Sequence, residues 1–169
     1  MLPIEELTQH AETLGRDAFL KRYKGLYLLR HAAGPDGESD AIPFKTRHLN
    51  LEVLRGVRAE DRVLEQTGWA APVAKREGNP FPDRVSIGRA PNCDIVLRLP
   101  YVSKLHAHLV RDADGWSLTD NQSANGTWIN EVELPAGVRR QIQPGDWIRV
   151  GALHLEVVDG PSLYQRLQP

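Results

Sequence analysis

From Trp69 onward the chain is a succession of short alternating segments, each broken after a few residues by Gly, Pro, Asn or Asp. That texture excludes long helices. It calls for an antiparallel sandwich or barrel, because a strand with one apolar face must bury it against a second layer. Arg84–Ile87 places Val85 and Ile87 on one face, Trp116–Thr119 does the same with Trp116 and Leu118, and Leu153–Val157 with Leu153, Leu155 and Val157. Roughly ten such segments can be counted. Between them, Asn79–Asp83, Asp112–Gly115, Asn121–Gly126 and Gln143–Asp146 are built from turn formers.

The first 66 residues have a different texture. Ile4, Leu7, Ala11, Leu14 and Ala18 recur every three or four positions, which predicts an amphipathic helix over Ile4–Arg22 with these five on its buried stripe. Pro3 suits its first turn and Gly25 closes the pattern. Leu26–Arg30 then reads as a buried strand, Ala32–Asp40 as a loop, Ile42–Leu51 as an extended stretch that could pair back as a hairpin, and Arg55–Thr67 as a connector. The expected partition is an α+β N-terminal extension at 1–66, a β domain at 67–160 and a C-terminal tail at 161–169.

Composition narrows the function. With 41% hydrophobic and 25% charged residues over 169 positions, the chain can bury one core. Charges nearly cancel, 21 Lys and Arg against 22 Asp and Glu, so a duplex nucleic acid partner is not expected. Cys93 is the single cysteine, which rules out an internal disulfide and any multi-cysteine metal site. Glu5 and Glu6 stand where a signal peptide carries Lys or Arg, and no apolar run reaches membrane-spanning length. The expectation is a cytoplasmic protein without a membrane partner.

Three loop clusters carry chemistry: Gly88-Arg89, Ser103-Lys104-Leu105-His106 and Asn125-Gly126-Thr127. A phosphorylated side chain brings about 1.5 to 2 negative charges and three strong acceptor oxygens, which call for a fixed guanidinium, hydroxyls and loop amides. Arg89, Ser103, Lys104 and the loop backbone supply that set. The order and spacing resemble the forkhead-associated (FHA) family pattern of Gly-Arg, Ser-x-x-His and Asn-Gly-Thr. The flanks are similar too: Asn92–Leu97, His106–Val110, Asp120–Asn130 and the closing hairpin around Gly145-Asp146 and Ile148–Gly151, so the resemblance covers residues 69–159.

The resemblance implies an antiparallel β-sandwich of about 10 to 11 strands that binds phosphothreonine peptides as a non-enzymatic signalling module. By that resemblance Arg89, Ser103 and Lys104 contact the phosphate and Asn125 holds the peptide main chain. His106 braces the Ser103 loop, and Gly88, Gly126 and Thr127 support the turns. Tyr101 lies in the loop that selects the residue three positions after the phosphothreonine, where an aromatic favours an apolar partner. Two departures stand out. Ala124 occupies a position that often carries a hydroxyl toward the phosphate, and Glu131 one that commonly holds Gly. The implied partner is a phosphothreonine protein, a Ser/Thr kinase or its substrate, with no cofactor, metal or catalytic residue.

Two other readings compete. A phosphate-independent scaffold is favoured only by Ala124. Leu26–His31, a strand ending in Arg30-His31, is similar to the opening of histidine phosphatases, yet that family needs a Gly-type turn next, a second histidine and further arginines spread over a large α/β domain, and only about 35 residues remain before the sandwich begins. A metal site from His10, His31 and His48 has no supporting spacing.

Overall fold

The computed structural model describes residues 1–32, 64 and 66–168. Among the described residues twelve strands form two sheets: β1 (Leu2–Pro3), β2 (Leu26–Arg30), β3 (Trp69–Pro72), β4 (Val85–Gly88), β5 (Ile95–Val96), β6 (Ala107–Asp112), β7 (Gly115–Asp120), β8 (Thr127–Ile129), β9 (Val132–Glu133), β10 (Arg139–Ile142), β11 (Trp147–Val150) and β12 (Leu153–Asp159). Two helices, α1 (Ile4–Arg22) and α2 (Gly160–Arg166), complete the described elements. One sheet runs β1-β3-β2-β12-β11-β8-β9 and the other β10-β7-β6-β4-β5. Pairing is antiparallel except between β4 and β5.

The alternation read in the sequence builds the space between the sheets. Val85, Ile87, Leu109 and Leu118 from one sheet meet Leu28, Ile148, Leu153, Leu155 and Val157 from the other, all buried. Each such side chain contributes about 1.5 to 3 kcal/mol by leaving water, so this layer is the main source of stability.

From before residue 67, β1, α1 and β2 are part of that architecture. β2 lies between β3 and β12 in the middle of the larger sheet, in register Leu28 to Val157 and Leu28 to Ala71. The Ile42–Leu51 stretch expected to pair with it, the Ala32–Asp40 loop beyond its first residue, and most of the Arg55–Thr67 connector lie outside the described residues. Helices α1 and α2 cover the outer face of the sheet around β2 and β12, forming a second apolar cluster from Leu7, Phe19, Tyr27, Leu29, Val158 and Leu163. That explains why β12 is buried on both faces. Residues 161–166, within the stretch expected as a tail, form most of α2, started by the Asp159 carboxylate accepting from the Ser162 amide at 2.9 Å.

The stripe expected on α1 holds only for its first half. Leu7 and Ala11 are buried, but Leu14 and Ala18 are exposed and Phe19 is buried in their place. Gly15 adopts φ 70 and ψ 168, outside helical geometry, so the helix breaks phase there. His10 bonds Tyr23, and His31 bonds Glu156; His48 is outside the described residues. Among the described residues no helix is long and apolar enough to cross a membrane.

Candidate functional site

The three motif clusters meet at one end of the sandwich, where β4 ends and β6 and β8 begin. Gly88 closes β4 against the neighbouring loop: a Cβ there would stand 2.3 Å from the Lys104 carbonyl oxygen, so any side chain would push the loops apart. Backbone bonds complete the fit, with the Arg89 amide donating to Ser103 O at 2.9 Å and the Ala90 amide to Lys104 O at 3.0 Å. The Cys93 thiol also donates to Lys104 O.

Arg89 is aimed by its own side chain. Its Nε donates to the Val102 carbonyl at 3.0 Å, while the residue as a whole remains exposed. One edge of the guanidinium is thereby anchored. Lys104 is exposed beside it.

Beneath these groups lies His106, fully buried. Its Nδ1 accepts from the Ser103 amide at 3.1 Å, so the ring proton sits on Nε2, which donates to Gly126 O at 2.9 Å. One imidazole therefore ties the Ser103 loop to the Asn125-Gly126 turn. Burial pushes its pKa below the usual histidine value, with the bond to Gly126 opposing, which suits a neutral ring.

The Asn121–Gly126 loop is held from within by Asp120. Its carboxylate accepts from Ser123 N at 3.0 Å, Ser123 Oγ at 2.6 Å and Thr127 Oγ1 at 2.6 Å. Burial alone would push this carboxyl up, but the hydrogen bonds from Ser123 and Thr127 outweigh it and hold it below the usual carboxylate range. Ser103 Oγ accepts from the Ala124 amide at 3.0 Å, and Asn125 Nδ2 donates to the Tyr101 carbonyl at 2.9 Å. Gly126 has φ 77, and a Cβ on it would meet the Trp128 ring at 2.5 Å. Both facts require glycine there.

The structure thus brings Arg89, Ser103, Lys104, Ala124 and Asn125 to one surface, with Gly88, His106, Gly126 and Thr127 as its supports. Tyr101 is the exception. Its side chain is only 5% exposed and belongs to the intersheet core, because Leu97, Leu99 and Tyr101 all turn inward along this stretch; its carbonyl accepts from Asn125. The sequence reading gave no role to Asp120 or Ser123, although the Asp-x-x-Ser spacing is the signal of a side chain closing its own turn. Nor did it find Trp128, whose ring backs Gly126 and carries the Arg149 guanidinium 3.3 Å from its centroid. Glu131 lies apart from this surface; its carboxylate comes within 3.9 Å of His154 Nε2.

Arg30 and His31 lie in other surroundings. His31 Nε2 bonds Glu156 Oε2 at 2.7 Å and its ring stacks on Trp147, while Arg30 Nη1 donates to the His31 carbonyl. Arg166 forms a fork with the same Glu156.

Residues 85–151 match the family model for the FHA domain. An ABC transporter ATP-binding/permease protein of Mycobacterium tuberculosis is 37% identical over 79 residues, which is 47% of this chain and 9% of that protein. The FHA domain-containing protein FhaB of the same organism is 34% identical over 73 residues, 43% of this chain and 46% of FhaB. The chain therefore spans less than half the length of either relative. The crystal structure of an FHA domain from Chlamydia trachomatis superposes with a TM-score of 0.50 over 80% of this chain and 98% of that one at 16% identity, which shows a shared fold.

Proposed function

The chain carries an FHA domain, and from that premise we propose that it recognises a phosphothreonine segment of a partner protein through the surface around Arg89. The observation that carries this reading is the division of labour within single side chains. Arg89 Nε is spent on Val102 O while the residue stays exposed. Ser103 Oγ accepts a hydrogen bond from the Ala124 amide and so keeps its own hydroxyl proton to donate. Asn125 Nδ2 is committed to Tyr101 O, which leaves Oδ1 to accept from a peptide N–H.

Phosphate oxygens take such donors as charge-assisted bonds, about twice as strong as neutral ones, and a preorganised guanidinium loses little freedom on binding. Lys104 adds a mobile positive charge at the rim. The peptide lies extended across the loop tips, its backbone held by Asn125. No bond is made or broken, and the signal is presence or absence of the phosphate. The implied partner is a Ser/Thr kinase or a protein that such a kinase modifies.

An oriented phosphothreonine peptide library, presented to the wild-type chain and to Arg89→Ala, tests the assignment. Selection of peptides by the wild type alone is expected. Equal selection by the variant would remove Arg89 from the site.

A further inference from the structure

At the end of the sandwich away from Arg89 and Ser103, a cleft of about 530 Å³ opens where α1, β2, the β6–β7 hairpin and the start of α2 converge. Its apolar wall is Tyr23, Leu26, Val73 and Trp116. Lys24 and Arg111 also line it, both exposed, and the Arg111 guanidinium lies 6.0 Å from the centroid of the Trp116 ring. Arg22, exposed on the last turn of α1, lies 5.8 Å from the Tyr23 ring. The one carboxylate of the lining is Asp159, which already accepts from the Ser162 amide.

Volume and wall match a site for a ligand group rather than a packing gap, since specific pockets are mostly apolar with a few placed polar groups. β6 separates the two ends: Ala107 opens it beside His106 and Asp112 closes it beside the cleft, a run of roughly 17 Å at the usual rise per residue. A ligand here leaves the Arg89 surface open.

We propose that this cleft is a second protein-docking site, which takes an apolar side chain of a partner polypeptide flanked by Asp or Glu residues. The apolar side chain fills the space between Tyr23 and Trp116, where aromatic walls give buried area at little entropic cost. Arg111 and Lys24 take the flanking carboxylates, and the positive rim disfavours a basic segment at the same place. Such a chain joins two partners at once, one by phosphate and one without it.

The probe is the unphosphorylated peptide acetyl-Asp-Glu-Leu-Phe-Asp-Glu-amide, titrated into the full ¹⁵N-labelled chain. Its controls carry Lys-Arg in place of each Asp-Glu, or Ser-Ser in place of Leu-Phe. Saturable amide shifts confined to residues 20–26, 73, 111–116 and 159–160 are expected, at least tenfold weaker for both controls. The double variant Lys24→Glu with Arg111→Glu, which alters two exposed side chains, should weaken the acidic peptide at least tenfold while leaving phosphothreonine peptide affinity unchanged. Absence of saturable shifts, shifts centred on Arg89 and Ser103, equal binding of the basic control, or an unaffected double variant would each overturn the proposal.

Discussion

The Ser103 hydroxyl oxygen accepts the Ala124 amide proton at 3.0 Å, so the two loops that face Arg89 are joined through the atom that would also donate to a phosphate. Replacing Ser103 with Ala removes both bonds at once. A hydrogen bond to a charged group contributes about 1.5 to 3 kcal/mol, so phosphopeptide affinity should fall roughly 10- to 100-fold in Ser103→Ala. Ser103→Thr should retain most of it. Calorimetric titration reads both, and unchanged affinity in Ser103→Ala would separate this hydroxyl from the ligand.

Ala124 offers the reverse experiment. Its amide already faces Ser103, and a hydroxyl on its side chain could reach the same phosphate. At this exposed loop the added bond is worth about 1 kcal/mol, a several-fold gain in Ala124→Thr that should appear only with phosphorylated peptide. An equal gain for the unmodified peptide would contradict it.

His106 separates support from contact. Removing the imidazole that braces Ser103 N and Gly126 O in His106→Ala leaves two polar groups without their partner beneath the site. Stability should drop by about 2 to 4 kcal/mol, with peptide affinity falling as well. Arg89→Ala should lose binding with a melting temperature within a few degrees of wild type. Thermal unfolding of the pair tests the division, and a stable His106→Ala protein would contradict it.

The β8–β9 turn carries a measurable strain. Asn130 and Glu131 both have positive φ, 49° and 65°, which is the two-residue hairpin turn that favours Asn-Gly. Glu131→Gly should therefore stabilise the chain by about 0.5 to 1 kcal/mol, the relief of a left-handed side chain outweighing its long, half-exposed pairing with His154. Denaturant unfolding measures the gain; a loss of stability would show that the His154 contact dominates.

How far the sequence revealed this arrangement differs by element. Val85, Ile87, Leu118 and Leu155 were legible because a two-residue period leaves a buried face, and Arg89, Ser103 and Asn125 because their spacing is kept by the loops. The inward turn of Tyr101 was hidden, since loop residues carry no period to say which side chain seeks the core. Phe19 replaced Ala18 because one backbone torsion at Gly15 rephased the helix. The place of β2 beside β12 joins residues over a hundred positions apart, a pairing that local pattern does not encode.

Glu156 sets an acid limit on stability. Burial pushes its carboxyl up, but the bonds from His31 and Arg166 outweigh it and hold the group at about 2, against 4.5 for an ordinary glutamate. A carboxyl depressed in the folded state stabilises fully above its unfolded value, and that contribution is lost as pH falls from about 4.5 toward 2. Its size is about 3 kcal/mol. The denaturant midpoint should fall through this window in the wild type and more shallowly in Glu156→Gln, which should also be less stable at pH 7. Parallel profiles would contradict the assignment.

The most direct test of the central claim is a calorimetric titration of the full chain with one library-selected phosphothreonine peptide and its unmodified threonine twin at the same ionic strength. Saturable binding of the phosphopeptide, with the twin at least a hundredfold weaker, is the predicted result. Equal affinity for the two peptides would contradict phosphothreonine recognition by the Arg89 surface.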